Sequence, residues 1–271
     1  MQVSSMATVL AALLFSISLS AQDFPEPVNG LIAKPMLAER TPLPDPPLRE
    51  ADVMWQKTVW RVIDVREKMN LTFTYPERPL FDILTEAANN NEIQLYVDDD
   101  FSEVLSEAGR QRMEGTADTV MVTDPKTMIQ RPKVIVNAFD VRDVKRYRVK
   151  EIWYFDKSTA TLKSKIIGLS PLKEEYDENG NFKYELPLFW VYFPATRKVL
   201  ARENAPLPGL INGNRSWDDL FASRFFSSSI IKADNIHDRR LSDYLSGRDA
   251  VLAGDKIDRE IFNFEHDVWA Q

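Results

Sequence analysis

Between Lys145 and Phe155 the residues alternate in kind. The odd positions Tyr147, Val149, Trp153 and Phe155 are apolar, and the even positions Arg146, Arg148 and Lys150 are basic. Period two is the pleat of a β-strand, whose successive side chains point to opposite faces; a helix cannot sort these residues onto two sides. A strand with one apolar face needs neighbours and a cover, so this segment commits the chain to a half-buried sheet. Its flanks supply the neighbours. The turn residues Asp156, Lys157, Ser158 and Thr159 lead into a second alternation through Ala160, Leu162 and Ile166, and Val134–Phe139 is a further strand candidate. Asn179-Gly180 is a two-residue hairpin signal, because both central positions of that turn need positive φ. The strand leaving it is expected to run from Phe182 to Phe193, with its apolar end, Leu188–Phe193, buried on both faces. The middle of the chain therefore reads as an antiparallel meander.

Helical patterns lie on both sides of it. Trp55, Val59, Val62, Ile63 and Met69 recur at near-helical spacing and predict a helix over Ala51–Met69. Leu71–Tyr75 reads as a short strand stopped by Pro76. Pro79 suits a first helical turn, with Leu80, Phe81, Leu84 and Ala88 on one face until Asn89, Asn90 and Asn91 end it. Gln94–Val97 reads as a strand. Helix returns after Pro206 and Pro208: Ser216 is a cap, Asp218 and Asp219 favour the positive end, and Trp217, Leu220, Phe221 and Phe225 line one face. Leu241, Tyr244 and Leu245 mark a short helix ending at Gly247, and Ile257, Ile261, Phe264 and Val268 mark the last. The fold class is α+β: an antiparallel meander with helices before and after it. A small α/β subdomain is expected over 49–125, and the sheet with C-terminal helices over 126–271.

The first residues do not belong to that fold. Val9–Leu19 is an uncharged apolar run of eleven residues followed by the small residues Ser20 and Ala21. It is too short to span a bilayer, which takes roughly 20 residues, and it matches a cleaved secretory signal peptide over residues 1–21. From 22 to 48 the chain carries seven of its 16 prolines. Proline fixes φ and lacks a donor, so this stretch is an extended arm, either a spacer or a strap on a neighbouring subunit.

Several chemistries are excluded by subtraction. Without cysteine there are no disulfides, thiol nucleophiles or cysteine metal sites, and only His237 and His266 offer imidazole. A formal net charge of −7 disfavours a general nucleic-acid binder. Asp98, Asp99 and Asp100, with Glu103 and Glu107 beyond, are the best candidates for paired-carboxylate chemistry, and a solvated acidic loop accounts for them more simply. Asp177–Asn181 fails the calcium-loop pattern, and Ser227–Ser229 lacks a nucleophile elbow. No catalytic, cofactor-binding or metal residue is assigned. The charge distribution is more informative: Arg131–Lys165 holds ten Lys and Arg against four acids, a local +6 that leaves the rest at −13. Arg146, Arg148 and Lys150 form the possible assembly surface, for self-association or docking on an acidic partner; a solvated sheet face is the alternative.

Four stretches carry a family resemblance. Asp52–Asn70, Arg148–Lys157, Ser227–Tyr244 and Asp258–Trp269 are together similar to the gliding-motility family GldN, also called PorN, of the type IX secretion system of Bacteroidetes. The resemblance implies a non-enzymatic periplasmic protein without cofactors, held at the inner face of the outer membrane. It implies a ring formed with the lipoprotein GldK (PorK), and the inner-membrane motor proteins GldL and GldM as further partners. With no other segment of membrane-spanning length and an acidic balance, no direct membrane span and no nucleic-acid partner are expected. The competing reading from the residues themselves is a periplasmic hydrolase using acids such as Asp98 and Glu103.

Overall fold

The computed structural model describes residues 40–123, 130–177, 179–206 and 215–269. The expected signal peptide and most of the expected arm lie outside them. Seven antiparallel strands make one sheet: β1 (Val53–Asp64), β2 (Leu95–Tyr96), β5 (Val144–Asp156), β6 (Thr161–Tyr176), β7 (Phe182–Pro187), β8 (Trp190–Tyr192) and β9 (Ser229–Ala233). The order is β2-β8-β6-β5-β1-β9, with β7 also paired to β6. A separate hairpin joins β3 (Gly115–Thr123) to β4 (Gln130–Ala138). The helices are α1 (Leu80–Asn89), α2 (Glu107–Glu114), α3 (Phe193–Arg202), α4 (Trp217–Ala222) and α5 (Arg248–Trp269). The α+β class with an antiparallel meander is therefore the observed one, and the sheet draws strands from both 49–125 and 126–271.

The segment expected to be the first helix is instead β1, a strand paired with β5 on one side and β9 on the other. Trp55, Val59 and Ile63 are spaced by four, which is near one helical turn and also an even number, so both periods place them on one face. The other face decides the matter. Trp60 and Val62 are buried as well, so Val59–Ile63 is covered on both sides, as an interior strand rich in β-branched and aromatic residues should be. Leu71–Tyr75, expected as a strand, lies mostly in a 3₁₀ turn, Lys68–Thr74. Asn70 makes that turn possible: fully buried, its side chain donates to the Asp64 and Ser227 carbonyls and accepts from the Ser227 amide, satisfying backbone that a ladder would otherwise serve.

The meander runs as expected, with β5 and β6 paired from Val144 to Asp156 and Gly180 at φ +80 in the hairpin turn. The strand leaving that turn is broken: β7 and β8 pair with different stretches of β6, and Phe193 already opens α3, with Pro194 in its first turn. In the expected helix after Ser216, the cap forms. The Ser216 hydroxyl accepts from the Asp219 amide, and the Asp219 carboxylate accepts from the Ser216 amide. Phe225 falls beyond the end of α4 and is partly exposed, and Phe226 packs into the core in its place.

Two clusters fill the interior. The larger joins α1, α3 and α4 to the sheet through Ile63, Tyr147, Val149 and Leu169. Phe73 is at its centre, 5.1 Å from Trp217 and 5.4 Å from Tyr147 by ring centroid. Each such side chain contributes roughly 1.5–3 kcal/mol by leaving water, and an edge-to-face pair adds about 0.5–1.5 kcal/mol. The smaller cluster joins Val59 and Ile230 to Ile261 of α5, while Trp55 stacks on Phe264 at 4.5 Å. A Cβ built on Gly254 would stand 2.5 Å from the Ile230 carbonyl oxygen, so only glycine lets α5 lie this close to β9.

Candidate functional site

Strand parity sets the candidate surface. Arg146, Arg148 and Lys150 share one face of β5, opposite Asp64, Val62 and Trp60 of β1. Tyr147, Val149 and Phe155 are buried on the other face, as the alternation requires. The basic face is not open to solvent, because acids from distant segments close over it. Arg146 bonds Asp64 through Nε at 3.2 Å and also pairs with Glu185. Lys150 Nζ donates to the Asp99 carbonyl at 2.8 Å and to the Asp100 carboxylate at 2.9 Å. Arg148 is 5% exposed, with Glu185 Oε2 3.7 Å from its Nη2. Within the basic strip, Arg146 and Lys150 are thus met by carboxylates from β1, β7 and the loop after β2.

That loop holds the acids considered for catalysis, and each aspartate has a structural engagement. Asp98 accepts from the Ser102 hydroxyl and amide, which hold its carboxyl below the usual range. Asp99 accepts the Trp60 indole N–H at 2.7 Å, and Lys150 sits over the Trp60 ring at 5.4 Å. Lys232 approaches the same ring at 4.0 Å, so Trp60 lies between two ammonium groups. Glu103 and Glu107 stand exposed, as do His237 and His266. Among the described residues no group of three or more His, Asp or Glu side chains is placed to hold a metal ion.

A second polar centre was missed in the sequence. Glu151, fully buried, accepts from Arg61 Nε at 2.5 Å, Arg224 Nη1 at 2.6 Å and the Trp153 indole at 2.8 Å. Arg61 also reaches Asp258 of α5. The signal was present. Glu151 falls at an odd position in the apolar series of β5, where parity buries it, and a buried carboxylate requires cations.

The arm is described from residue 40, and its end is tied to the folded body. Arg197 of α3 donates to the Leu43 carbonyl at 2.9 Å and pairs with Asp45 at 2.7 Å, and Lys165 pairs with the same Asp45 at 2.8 Å. Arg197 is itself fixed on Asp218 of α4 at 2.8 Å. No helix among the described residues is long and apolar enough to cross a membrane.

Comparison with known proteins gives one family. The model described as "Gliding motility associated protein GldN" matches residues 48–270. No curated protein matches the chain in sequence.

Proposed function

The chain belongs to the GldN family of gliding motility associated proteins, and from that premise we propose that it is a non-enzymatic structural subunit of the type IX secretion and gliding machinery. In this reading it works in the periplasm, forms a ring with the lipoprotein GldK (PorK) under the outer membrane, and meets the inner-membrane proteins GldL and GldM. The observation that carries the reading is the extent of the family match, from residue 48 to residue 270, which takes in every strand and helix described. The aspartates best suited to hydrolysis are engaged in holding a loop and a tryptophan, which supports a structural role. Within the strip of Arg146, Arg148 and Lys150, Arg146 and Lys150 serve assembly by fixing acids at the surface, of which Asp100 has the most exposed side chain, at 82%.

The test is co-purification. Tagged protein drawn from envelope extracts should arrive in a high-mass species containing the lipoprotein. A small species without it, at low and high salt alike, overturns the proposal. An intact mass matching loss of residues 1–21 checks export.

A further inference from the structure

The strongest unexplained group in the molecule is Arg148. Its guanidinium is buried, its Nε has no hydrogen-bond partner among the described residues, and its closest carboxylate oxygen, at 3.7 Å, is beyond hydrogen-bond range. A buried charge left this way costs free energy unless something completes it. Burial and the neighbouring Arg240 push its pKa down to about 10, with Glu185 and Asp99 pulling the other way.

Both arginines line a cavity of about 320 Å³ between β1, β5, β9 and the loops after β2 and β9. Its volume is about that of ten waters. Four aspartates also stand in its wall, and each is committed elsewhere: Asp98 to Ser102, Asp99 to Trp60, Asp238 to Lys232, and Asp243 to the Arg240 amide. What the wall leaves without a partner is the Arg148 Nε. Trp60, Val97, Pro187, Trp190 and Ile231 give the same cavity apolar surface beside them.

We infer that this cavity binds a monocarboxylate bearing a short apolar group, its carboxylate bridging Arg148 and Arg240. A planar carboxylate matches the guanidinium fork, and one negative charge relieves the arginine pair. The wall carries four aspartates against Arg148, Arg240 and Lys232, so a dianion such as phosphate is disfavoured more than a single charge. The apolar lining accepts an aliphatic side chain. Two sources share this chemistry: the carboxyl terminus of a polypeptide and a free organic acid.

The experiment uses the full mature chain labelled with nitrogen-15, following the Nε–Hε resonance of Arg148. The probes are N-acetylleucine, its uncharged amide, butyrate and inorganic phosphate. N-acetylleucine should shift that resonance saturably, and the amide should not. The Arg240→Gln variant, altered at an exposed side chain, should fold normally and bind N-acetylleucine at least tenfold more weakly; Arg148→Gln, followed at the indole resonance of Trp60 in the same wall, should show no saturable shift where wild type does. N-acetylleucine binding well above butyrate assigns the site to a chain terminus, and equal binding assigns it to a small acid. No saturable shift, equal response to the amide, tighter binding of phosphate, or unchanged affinity in Arg240→Gln overturns the inference.

Discussion

Arg61 and Glu151 meet inside the sheet, with Nε and Oε1 2.5 Å apart and the carboxylate fully buried. They come from adjacent strands and stand at the seam between the two apolar clusters. Arg224 approaches from a loop, so one carboxylate ties together three segments distant in sequence, and Arg61 extends the tie to Asp258 of α5.

Removing that carboxylate leaves two guanidiniums beside it without their shared counter-charge. Glu151→Ala is expected to cost about 3–5 kcal/mol in urea unfolding. The triple change Arg61→Met, Glu151→Leu and Arg224→Leu should recover most of the loss, because it removes the charges together. A single variant as stable as wild type would show that the cluster is hydrated rather than buried.

Gly254 sets the seating of α5. Alanine is the better helix former by about 1 kcal/mol, yet its Cβ would meet the Ile230 carbonyl oxygen at 2.5 Å, and backbone on backbone leaves little room to yield. Gly254→Ala should therefore destabilise the fold by roughly 1–3 kcal/mol, with amide exchange in α5 accelerating before that of β5. Faster exchange spread evenly over the sheet would contradict a local displacement.

Asp64 gives the acid limb of stability a named contributor. Arg66, with Arg146 behind it, holds its carboxyl down to about 2 from an ordinary value of 3.8. A depressed acid stabilises the fold above its unfolded pKa and loses that contribution as pH falls toward the folded one. Wild type should lose up to about 1 kcal/mol on this account between pH 4 and pH 2, after allowance for solvent screening. Asp64→Asn should show a correspondingly flatter profile in urea midpoints, and parallel profiles would exclude the assignment.

Arg197 anchors the end of the arm. Arg197→Ala removes the bonds to Leu43 and Asp45, leaving Lys165 alone to hold Asp45. Limited proteolysis should then cut within residues 40–48 at least several-fold faster, and the melting temperature should fall as well, because the buried Asp218 loses its partner; Asp45→Asn, which leaves that pair intact, should speed cleavage with little change in melting temperature. An unchanged cleavage rate would show that Arg197 does not retain the arm.

The meander was legible because its signal is local: period two in β5, turn residues after Asp156 and Asn179-Gly180 each report on neighbours in sequence. Strand β1 was misread because a spacing of four satisfies two periods, and only Trp60 and Val62, apolar on the second face, separate them. The basic strip was legible as a strip but not as a covered one. Its partners Asp64, Asp99 and Glu185 come from three separate segments, and nothing local announces where a loop will close. Glu151 was the overlooked clue, since an acid in an apolar series is an instruction to look for cations. Arg148 gave no such clue; its missing partner is visible only with the cavity around it.

Strand β1 has both of its neighbours far downstream, one in the middle of the chain and one near its end. Val59 pairs toward Glu151 on one side and Ala233 on the other. A chain made from its N-terminus holds β1 single until β5 has emerged, and with one side open until residue 233 has followed. Only then does α5 follow to seal Val59 and Ile230. Such long-range closure slows folding and delays commitment until nearly the whole polypeptide is present. The same wiring that makes the sheet cohesive keeps an unfinished chain from closing it.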